Sequence, residues 1–325
     1  MTGTGGRSVG GASFILECAD AWAAHVIEAI ASGWHLEKVP TPEAPCPTLH
    51  VRSVSVRPSI PDGLPSFPVP AGTCHTGQRS CYIEVAGSLV VIDQPGAAAV
   101  QLFIDRDTPV DAPDLVRLVT YGVSATLRRA GRFELHSAAL TSPSGRSVLI
   151  AGPSGSGKST LSVHLASAGW SYMTDDVLVL DAAHGTVTAW PLRRDFAVTA
   201  TTVAASPMLL ERGVPADAAD DDAKRLFSPQ AVFARGAASC TPTTLLLPRL
   251  TGEPGSSLEP LAVGAAMTSL LRLSPWACYD RTTAPRHIAA LSALATQARA
   301  VIVHAGRDLL DGRRAVALVD ECLAV

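Results

Sequence analysis

The sequence is poor in the features that mark proteins that bind nucleic acids. Only 17% of its 325 residues are charged, the net charge is −3, and no long run of basic residues occurs. Proteins that bind the phosphate backbone of DNA or RNA need clustered positive charge. The composition therefore argues against nucleic acid as a partner.

Cysteine is sparse and is not arranged for a metal. The seven cysteines are an odd number without the paired CxxC spacing of a zinc site. Cys74, His75 and Cys81 form one local cluster, but no second pair of ligands follows at a suitable spacing. We interpret these three residues as parts of loops and strands, and the cysteines as reduced thiols of the cytosol.

Long apolar stretches are also missing. No run reaches the roughly 18 uninterrupted apolar residues of a membrane helix. The first dozen residues are rich in Gly, Ser and Thr and lack the apolar centre and cleavage site of a signal peptide. We therefore expect a cytoplasmic protein without a membrane partner. No repeat is visible, and with 47% hydrophobic residues the chain is long enough for one large domain or two smaller ones.

What the chain does contain is a complete phosphate-binding loop, GPSGSGKS, over Gly152–Ser159. The apolar run over 147–151 predicts a buried strand before the loop, and residues 161–166 predict a helix after it. Such a loop turns successive backbone N–H groups toward one anion, and the helix N-terminus adds partial positive charge. Lys158 can reach the terminal phosphates of a nucleotide, and the Ser159 hydroxyl can bind Mg2+. The predicted nucleotide-binding residues are Gly152, Ser154, Gly155, Ser156, Gly157, Lys158, Ser159 and Thr160.

An acidic pair, Asp175 and Asp176, follows Lys158 by 17 residues. That length allows a helix of about four turns and a return to the sheet beside the loop. Phosphoryl transfer needs a carboxylate to orient or deprotonate the attacking hydroxyl, and Mg2+ takes one or two carboxylates besides phosphate oxygens. We assign Asp175 as the catalytic base and Asp176, with Ser159, as the metal partner; the reverse order stays open.

Further candidates flank the loop and the acidic pair. His136 lies in a strand predicted over 133–140, one hairpin before the loop, where it can approach the transferring phosphate. The basic pairs Arg193-Arg194 and Lys224-Arg225 are candidate phosphate or substrate clamps, because guanidinium groups match phosphate oxygens. Ordinary surface ion pairs are the alternative for both. The acidic run over 217–222 is typical of a solvated loop.

The pattern of apolar residues predicts an organisation in three parts. These are a flexible N-terminus over 1–12, an antiparallel, strand-rich region over 13–132, and a catalytic domain over 133–325. The predicted elements of the middle part are helices over 21–32 and 113–130, strands over 48–56, 80–85, 89–93 and 100–104, and a Pro-rich surface loop over 58–70. After the acidic pair we predict a hairpin over 177–190, strands over 243–248 and 300–304, and helices over 264–273 and 286–300.

Three segments of the second half together resemble the HPr kinase family: Leu135–Ala138, Gly152–Thr160 and Gly169–Asp176. The resemblance implies an α/β (α+β) fold, with a phosphoenolpyruvate-carboxykinase-like P-loop kinase core beside the strand-rich N-terminal half. It implies ATP and Mg2+ as cofactors, a serine hydroxyl of a protein as acceptor, and His136 as a residue of the phosphate site.

The sequence also departs from that family's pattern. Thr160 stands where members that act on HPr have Glu, and their Arg-Gly-Leu-Gly type of segment is missing after the hairpin. The chain is more similar to divergent relatives in ribosomal peptide biosynthesis, notably the lasso-peptide precursor kinases. We therefore predict a serine kinase of a peptide or small protein. A kinase of a small hydroxylated metabolite and a non-catalytic nucleotide-gated scaffold stay as alternatives, and a homo-oligomer and a pyrophosphate donor stay open.

Overall fold

The computed structural model describes residues 3–43, 45–93, 99–183, 185–213 and 224–324. The chain divides into two units. The first is Met1–Phe133 with Trp276–His287, and the second is Glu134–Pro275 with Ile288–Val325. The sequence predicts a boundary after residue 132, and the first unit's main segment ends at Phe133. The sequence does not indicate that the segment Trp276–His287 belongs to the first unit. The acidic run over 217–222 lies outside the described residues.

The first unit is built on one large sheet. In the described residues the strand order is β3-β1-β2-β4-β9-β8-β7-β6-β5. The elements are β1 Gly3–Val9, β2 Ala12–Cys18, α1 Ala21–Ala31, β3 Glu37–Val39, β4 Thr48–Val54, β5 Ser66–Val69, β6 Gly72–Thr76, β7 Ser80–Val85, β8 Ser88–Asp93, β9 Ala99–Asp105 and α2 Pro113–Arg129.

This sheet is mixed, whereas the sequence predicts an antiparallel unit. Strand β4 pairs in parallel with both β2 and β9, and the remaining neighbours are antiparallel. Parallel neighbours need a crossover connection, which α1 provides between β2 and β4. Alternation of apolar residues identifies strands but does not identify their partners, so the antiparallel prediction was wrong for β4.

The helices of the first unit begin and end as their sequence patterns predict. Asp20 caps α1, because its Oδ1 accepts a hydrogen bond of 2.9 Å from the backbone N–H of Ala23. Helix α2 starts at Pro113, in the first-turn position that proline prefers, and its buried side includes Leu115, Leu118 and Val123. Both predicted helices are thus confirmed.

Two predicted irregular segments of the first unit contain strands. The sequence predicts a flexible N-terminus over 1–12, whereas Gly3–Val9 forms β1 and pairs with β2 and β3. The Pro-rich segment over 58–70 contains β5, which lies at the edge of the sheet. Proline is tolerated at an edge because no ladder donor is needed on the open side.

The second unit carries the phosphate-binding loop. From Phe133 onward the elements are β10 Phe133–Thr141, β11 Ser147–Ala151, α3 Lys158–Ser167, β12 Ser171–Thr174, β13 Val177–Asp181, β14 Thr188–Pro191, β15 Phe196–Val198, α4 Ala200–Ala204, α5 Pro207–Glu211, β16 Arg225–Phe227, α6 Pro229–Val232, β17 Pro242–Leu250, β18 Ser257–Leu261, α7 Val263–Arg272, α8 Trp276–Tyr279, α9 Ala284–Gln297, β19 Arg299–Ala305, a 3-10 helix Arg307–Leu310 and α10 Gly312–Ala324. Helix α8 belongs to the segment that returns to the first unit.

The loop strand β11 lies in the middle of the second sheet. The strand order is β14-β13-β10-β11-β17-β19-β18, with β12 also paired to β10. All five residues of β11 are buried, as a continuous apolar run predicts. The predicted hairpin is confirmed as the antiparallel pair β13–β14. The predicted helix over 286–300 ends earlier, since α9 ends at Gln297 and residues 299 and 300 already belong to β19.

The fold class is mixed α/β, with large sheets and several helices. The phosphoenolpyruvate-carboxykinase-like core stays a prediction. Among the described helices none is long and apolar enough to cross a membrane.

Candidate active site

The phosphate-binding loop joins β11 to α3, as the sequence predicts. Gly155 and Gly157 have positive φ angles of 79° and 96°, in the left-handed region that favours glycine. A Cβ atom on Gly152 would lie 2.6 Å from the Ser156 Oγ. The backbone conformation of the loop therefore favours glycine at positions 155 and 157 independently of any ligand, and a side chain at Gly152 would displace the Ser156 hydroxyl.

Lys158 is held inside this loop. Its side chain is buried, and Nζ donates to the carbonyl oxygens of Gly152 at 2.7 Å and Pro153 at 2.8 Å. Burial lowers the pKa of Lys158 to about 8, and the charge of Lys224 adds to the effect, while Asp176 and Asp175 oppose it. No carboxylate forms an ion pair with Lys158 in the described part of the chain. The ammonium group is thus positioned at the loop, where it can meet an anionic ligand.

Asp175 directly follows β12 and contacts the loop hydroxyl. Ser159 Oγ donates to Asp175 Oδ2 at 3.2 Å, and the backbone N–H of Ala197 donates to the same oxygen at 3.1 Å. Asp175 is only 3% exposed. Burial raises the pKa of Asp175 to about 7, against the lowering effect of the Ala197 N–H, and the charge of Asp176 raises it further. The positive charge near Asp175 is thus too small to offset the effect of burial on its pKa.

The donor set at Ser159 and Asp175 fits Mg2+. Asp175 Oδ1 is buried and has no hydrogen-bond partner in the described residues, and the Ser159 hydroxyl lies against the other carboxylate oxygen. A hydroxyl and a carboxylate are the hard oxygen ligands that Mg2+ takes from a protein beside phosphate oxygens. The described residues contain no group of three or more His, Cys, Asp or Glu side chains arranged for a metal.

Asp176 forms a different set of contacts from its neighbour. Its Oδ1 lies 3.1 Å from His136 Nδ1, and its Oδ2 lies 3.0 Å from Arg193 Nη1. Burial would raise the pKa of Asp176, but the hydrogen bond from His136 and the charge of Arg193 hold that pKa well below its usual range. The main chains also meet, since Ser137 N–H donates to the Asp176 carbonyl oxygen at 3.0 Å. His136 is therefore brought to the acidic pair.

The four predicted clamp residues have different positions. Arg193 contacts Asp176, and the exposed Lys224 is close enough for its charge to affect the pKa of Asp175 and Asp176. Arg194 is exposed, and its carbonyl oxygen accepts a hydrogen bond from the Tyr172 hydroxyl at 3.4 Å. Arg225 is buried in β16 opposite Val198. Of the four, Arg193 acts on the acidic pair by direct contact and Lys224 acts on it by its charge.

Thr160 directs its hydroxyl away from the loop. Its Oγ1 is 2.8 Å from Oγ1 of Thr202 in α4. Any contribution of Thr160 to phosphate binding would thus come from its backbone N–H in the first turn of α3. Of the other loop residues, Ser154 and Gly155 are exposed, whereas Ser156 is buried and its hydroxyl has no partner among the described residues.

A cleft beside the loop contains residues that the sequence did not point to. It has a volume of about 530 Å3 and is lined by loop residues, by the end of β17 and by the end of α7. These residues are Leu247, Pro248, Arg249 and Leu250 of β17, Ser269 and Arg272 of α7, and Leu273 directly after α7. In the sequence, β17 is recognisable as an apolar run, but nothing in that run indicates that it pairs with β11. Strand pairing is decided by the tertiary fold.

Comparisons with known proteins include a remote similarity to a solved structure. No family model matches the chain, and no curated protein matches it. Among solved structures, the Hpr(Ser) kinase/phosphatase from Coxiella burnetii is similar over 59% of this chain and 97% of its own, with 12% identity and a TM-score of 0.33. This similarity is too remote to assign a role to any residue, so the roles of the residues follow from the geometry of the site.

Proposed function

We propose that this protein is an ATP- and Mg2+-dependent kinase. It transfers the γ-phosphoryl group to a serine hydroxyl of a peptide or small protein, in our view a ribosomal precursor peptide of the lasso type. One observation carries the proposal. Two adjacent carboxylates at the phosphate-binding loop have separate contacts, Asp175 with the loop hydroxyl of Ser159 and Asp176 with His136 and Arg193.

The contacts favour the reverse of the order that the sequence suggests for the two aspartates. Ser159, the loop hydroxyl that binds metal, contacts Asp175 and not Asp176. We therefore assign Asp175 and Ser159 to the metal and Asp176 to the acceptor side. When bound, Mg2+ neutralises charge on the phosphate oxygens. Lys158 adds a second positive charge at the phosphates, and the low pKa of Asp176 keeps that carboxylate ionised beside the acceptor.

His136 and Asp176 act on the proton of the acceptor. Nδ1 of His136 faces Asp176, so a hydrogen on Nδ1 donates to the carboxylate and leaves Nε2 as the acceptor nitrogen. The serine oxygen forms a bond to the γ-phosphorus, and the bond from that phosphorus to the β–γ bridging oxygen breaks. The serine proton passes to Nε2, and the products are phosphoserine and ADP. Orientation of the hydroxyl supplies much of the rate, because the transition state is loose.

The test is transfer of label from γ-labelled ATP to serine-containing peptides. Lys158→Ala and Asp175→Asn should each reduce kcat/KM by about 1,000-fold or more, because charge stabilisation and positioning provide most of the catalysis. Asp181→Asn, at the end of β13, is the matched control and should retain full transfer. Undiminished transfer by both site variants would overturn the proposal.

The same assay separates the acceptor classes. A peptide whose serine is replaced by alanine should take no label. Label that appears only on small hydroxylated metabolites would assign a metabolite kinase instead. Tight nucleotide binding without transfer or hydrolysis to any acceptor would indicate a nucleotide-gated scaffold.

A further inference from the structure

Two of the seven cysteines bring their sulfur atoms into contact in the first unit. The Sγ atoms of Cys74 in β6 and Cys81 in β7 lie 3.1 Å apart, in a hydrogen bond for which either thiol can be the donor. Among the described residues no other two cysteine sulfurs are in contact. A disulfide bond is about 2.05 Å long, so these two sulfur atoms need to approach by only about 1 Å to form one.

The strand register places both side chains on one face of the first sheet. Thr76 lies opposite Cys81, and Cys74 lies opposite Ile83, so the two cysteines are diagonal neighbours. Diagonal side chains start farther apart than directly opposite ones. A disulfide at these positions must therefore draw β6 and β7 together, and disulfides that form under constraint are more easily reduced than relaxed ones. The pair is thus suited to a reversible bond more than to a permanent one.

The surroundings of the pair make its two thiols unequal. Both are buried, Cys74 fully and Cys81 with 1% exposure. The hydrogen bond from Cys74 lowers the pKa of Cys81, and the charges of Arg128 and Arg129 lower it further, against burial and the charge of Asp280. The thiolate is the form of cysteine that attacks an oxidant. Cys81 is therefore the attacking sulfur, and Cys74 is the second thiol, which completes the bond.

Burial restricts which oxidants can reach the pair. Strand β6 lies next to the edge strand β5, and Phe67 of β5 lies opposite Cys74. Local opening at the edge of a sheet costs less free energy than opening of its centre. A small oxidant such as hydrogen peroxide can enter through such an opening, whereas a bulky thiol reagent needs a larger one.

We propose that Cys74 and Cys81 form a reversible oxidation site, at which hydrogen peroxide converts the two thiols into an intramolecular disulfide. The Cys81 sulfur attacks one oxygen of the peroxide, the O–O bond breaks, and the products are a sulfenic acid and one water. The Cys74 sulfur then attacks the Cys81 sulfur, and the sulfenic oxygen leaves as a second water. Two electrons pass from the thiols to the peroxide. A small dithiol reverses the reaction by exchange and leaves as its own cyclic disulfide.

This site does not depend on the kinase proposal, because every group that it uses lies in the first unit. The test maps disulfides in the purified full chain before and after treatment with hydrogen peroxide. Free thiols are alkylated in denaturant, and trypsin then cuts after Arg79, which separates Cys74 from Cys81. After oxidation the two tryptic peptides should stay joined, and both cysteines should lose their alkylation. Dithiothreitol should restore both thiols.

Single variants separate the two steps. In Cys74→Ser, peroxide should leave Cys81 as a sulfenic acid, which dimedone labels. Cys81→Ser should give little dimedone label at Cys74, because the attacking sulfur is missing. Cys278→Ser removes an exposed cysteine and is the matched control, so it should form the disulfide as the wild type does. Stronger labelling of Cys74 than of Cys81 would overturn the assigned order of attack.

Two results would overturn the site itself. The first is wild-type protein in which Cys74 and Cys81 both keep their alkylation under peroxide that oxidises the exposed Cys278. The second is a set of tryptic peptides that join either cysteine to a different one. Circular dichroism before oxidation checks that each variant folds, and the disulfide map of the wild type stands without any variant.

Discussion

Each unit of the molecule buries an aspartate, and the two aspartates differ in what surrounds them. In the first unit, Asp280 is 1% exposed, and its Oδ2 accepts hydrogen bonds from Arg128 Nε at 3.0 Å and Arg129 Nη1 at 2.9 Å. In the second unit, Asp175 is almost as buried but is contacted by one hydroxyl and one backbone N–H. Burial is common to both residues, whereas direct contact with an arginine is found only at Asp280 among the described residues.

The pKa values follow this difference. Burial would raise the pKa of Asp280, but Arg128 and Arg129 hold it below its usual range. Burial raises the pKa of Asp175 to about 7, because no cation among the described residues contacts it. A buried ion cluster with its own counter-charges is typical of structure. A buried carboxylate without such contacts marks a candidate functional site, and Asp175 is the residue to which we assign the proposed Mg2+.

The largest expected effect on folding stability comes from Asp280, the aspartate that is paired with two arginines. Asp280→Asn leaves two buried guanidinium groups without their carboxylate and should reduce stability by about 3–5 kcal/mol. Hydrogen exchange of the amides in α2 measures this loss locally. Unchanged protection of α2 would show that the Asp280 cluster does not stabilise the first unit, and the comparison with Asp175 would fail.

Asp175→Asn should increase the folding stability of the metal-free protein, whereas Asp280→Asn should decrease it. A carboxyl group whose folded pKa is raised stabilises the fold below its unfolded pKa of 3.8 and loses that contribution as the pH rises through about 7. The asparagine variant avoids the loss, so it should be more stable than the wild type by about 2–4 kcal/mol at pH 8, with the advantage shrinking toward pH 4. Thermal unfolding at both pH values, without Mg2+ or nucleotide, checks the sign. A variant that is less stable than the wild type at pH 8 would show that nearby groups do offset the cost of burying the ionised Asp175.

His136→Asn should separate chemistry from binding. Asparagine can still donate to Asp176 but has no basic nitrogen, so kcat should fall by about 100-fold while KM for ATP stays within about twofold. Steady-state transfer to the peptide measures both values. A rise in KM without a fall in kcat would instead assign His136 to substrate binding.

The smallest expected effect comes from Thr160. Its hydroxyl contacts Thr202, so Thr160→Val should cost about 1 kcal/mol of stability and leave transfer near the wild-type rate. Ser159→Ala, one residue earlier, should abolish Mg2+-dependent transfer. Loss of transfer in both variants would place the Thr160 hydroxyl in the site.

Local patterns in the sequence were sufficient for the loop and for its nearest elements. Strand β11, helix α3 and the β13–β14 hairpin follow from apolar periodicity and turn residues, as does α2. The three-residue strands β15 and β16 do not follow from it, because so few residues carry no usable period and the strands gain their stability from pairing. Strand β1 has seven residues but does not follow either, because Gly, Ser and Thr predominate in it. The edge strand β5 does not follow either, because its segment is rich in proline, which favours a loop unless the strand lies at an edge.

The sequence named residues that the structure brings together at the loop, but it did not give their contacts. His136, Lys158, Asp175 and Asp176 all follow from sequence motifs, and the structure brings them into one region. Adjacent residues of an extended chain point to opposite sides, so sequence cannot say which of Asp175 and Asp176 faces Ser159. For the same reason, the sequence cannot say that Arg193 rather than Arg194 contacts Asp176.

The sequence by itself determined the local structure here, which is a buried strand, a glycine-containing loop and a helix. Glycine at three positions, an apolar strand before them and a helix after them are local requirements, met by adjacent residues. Only the tertiary structure decided which carboxylate meets the loop hydroxyl, and that no cation of the described residues contacts the buried Asp175. It also decided that Leu250, Arg249 and Arg272 lie beside the loop. These features depend on pairing of β11 with β10 and β17, of which β17 is distant in the chain, and on burial, which single residues do not specify.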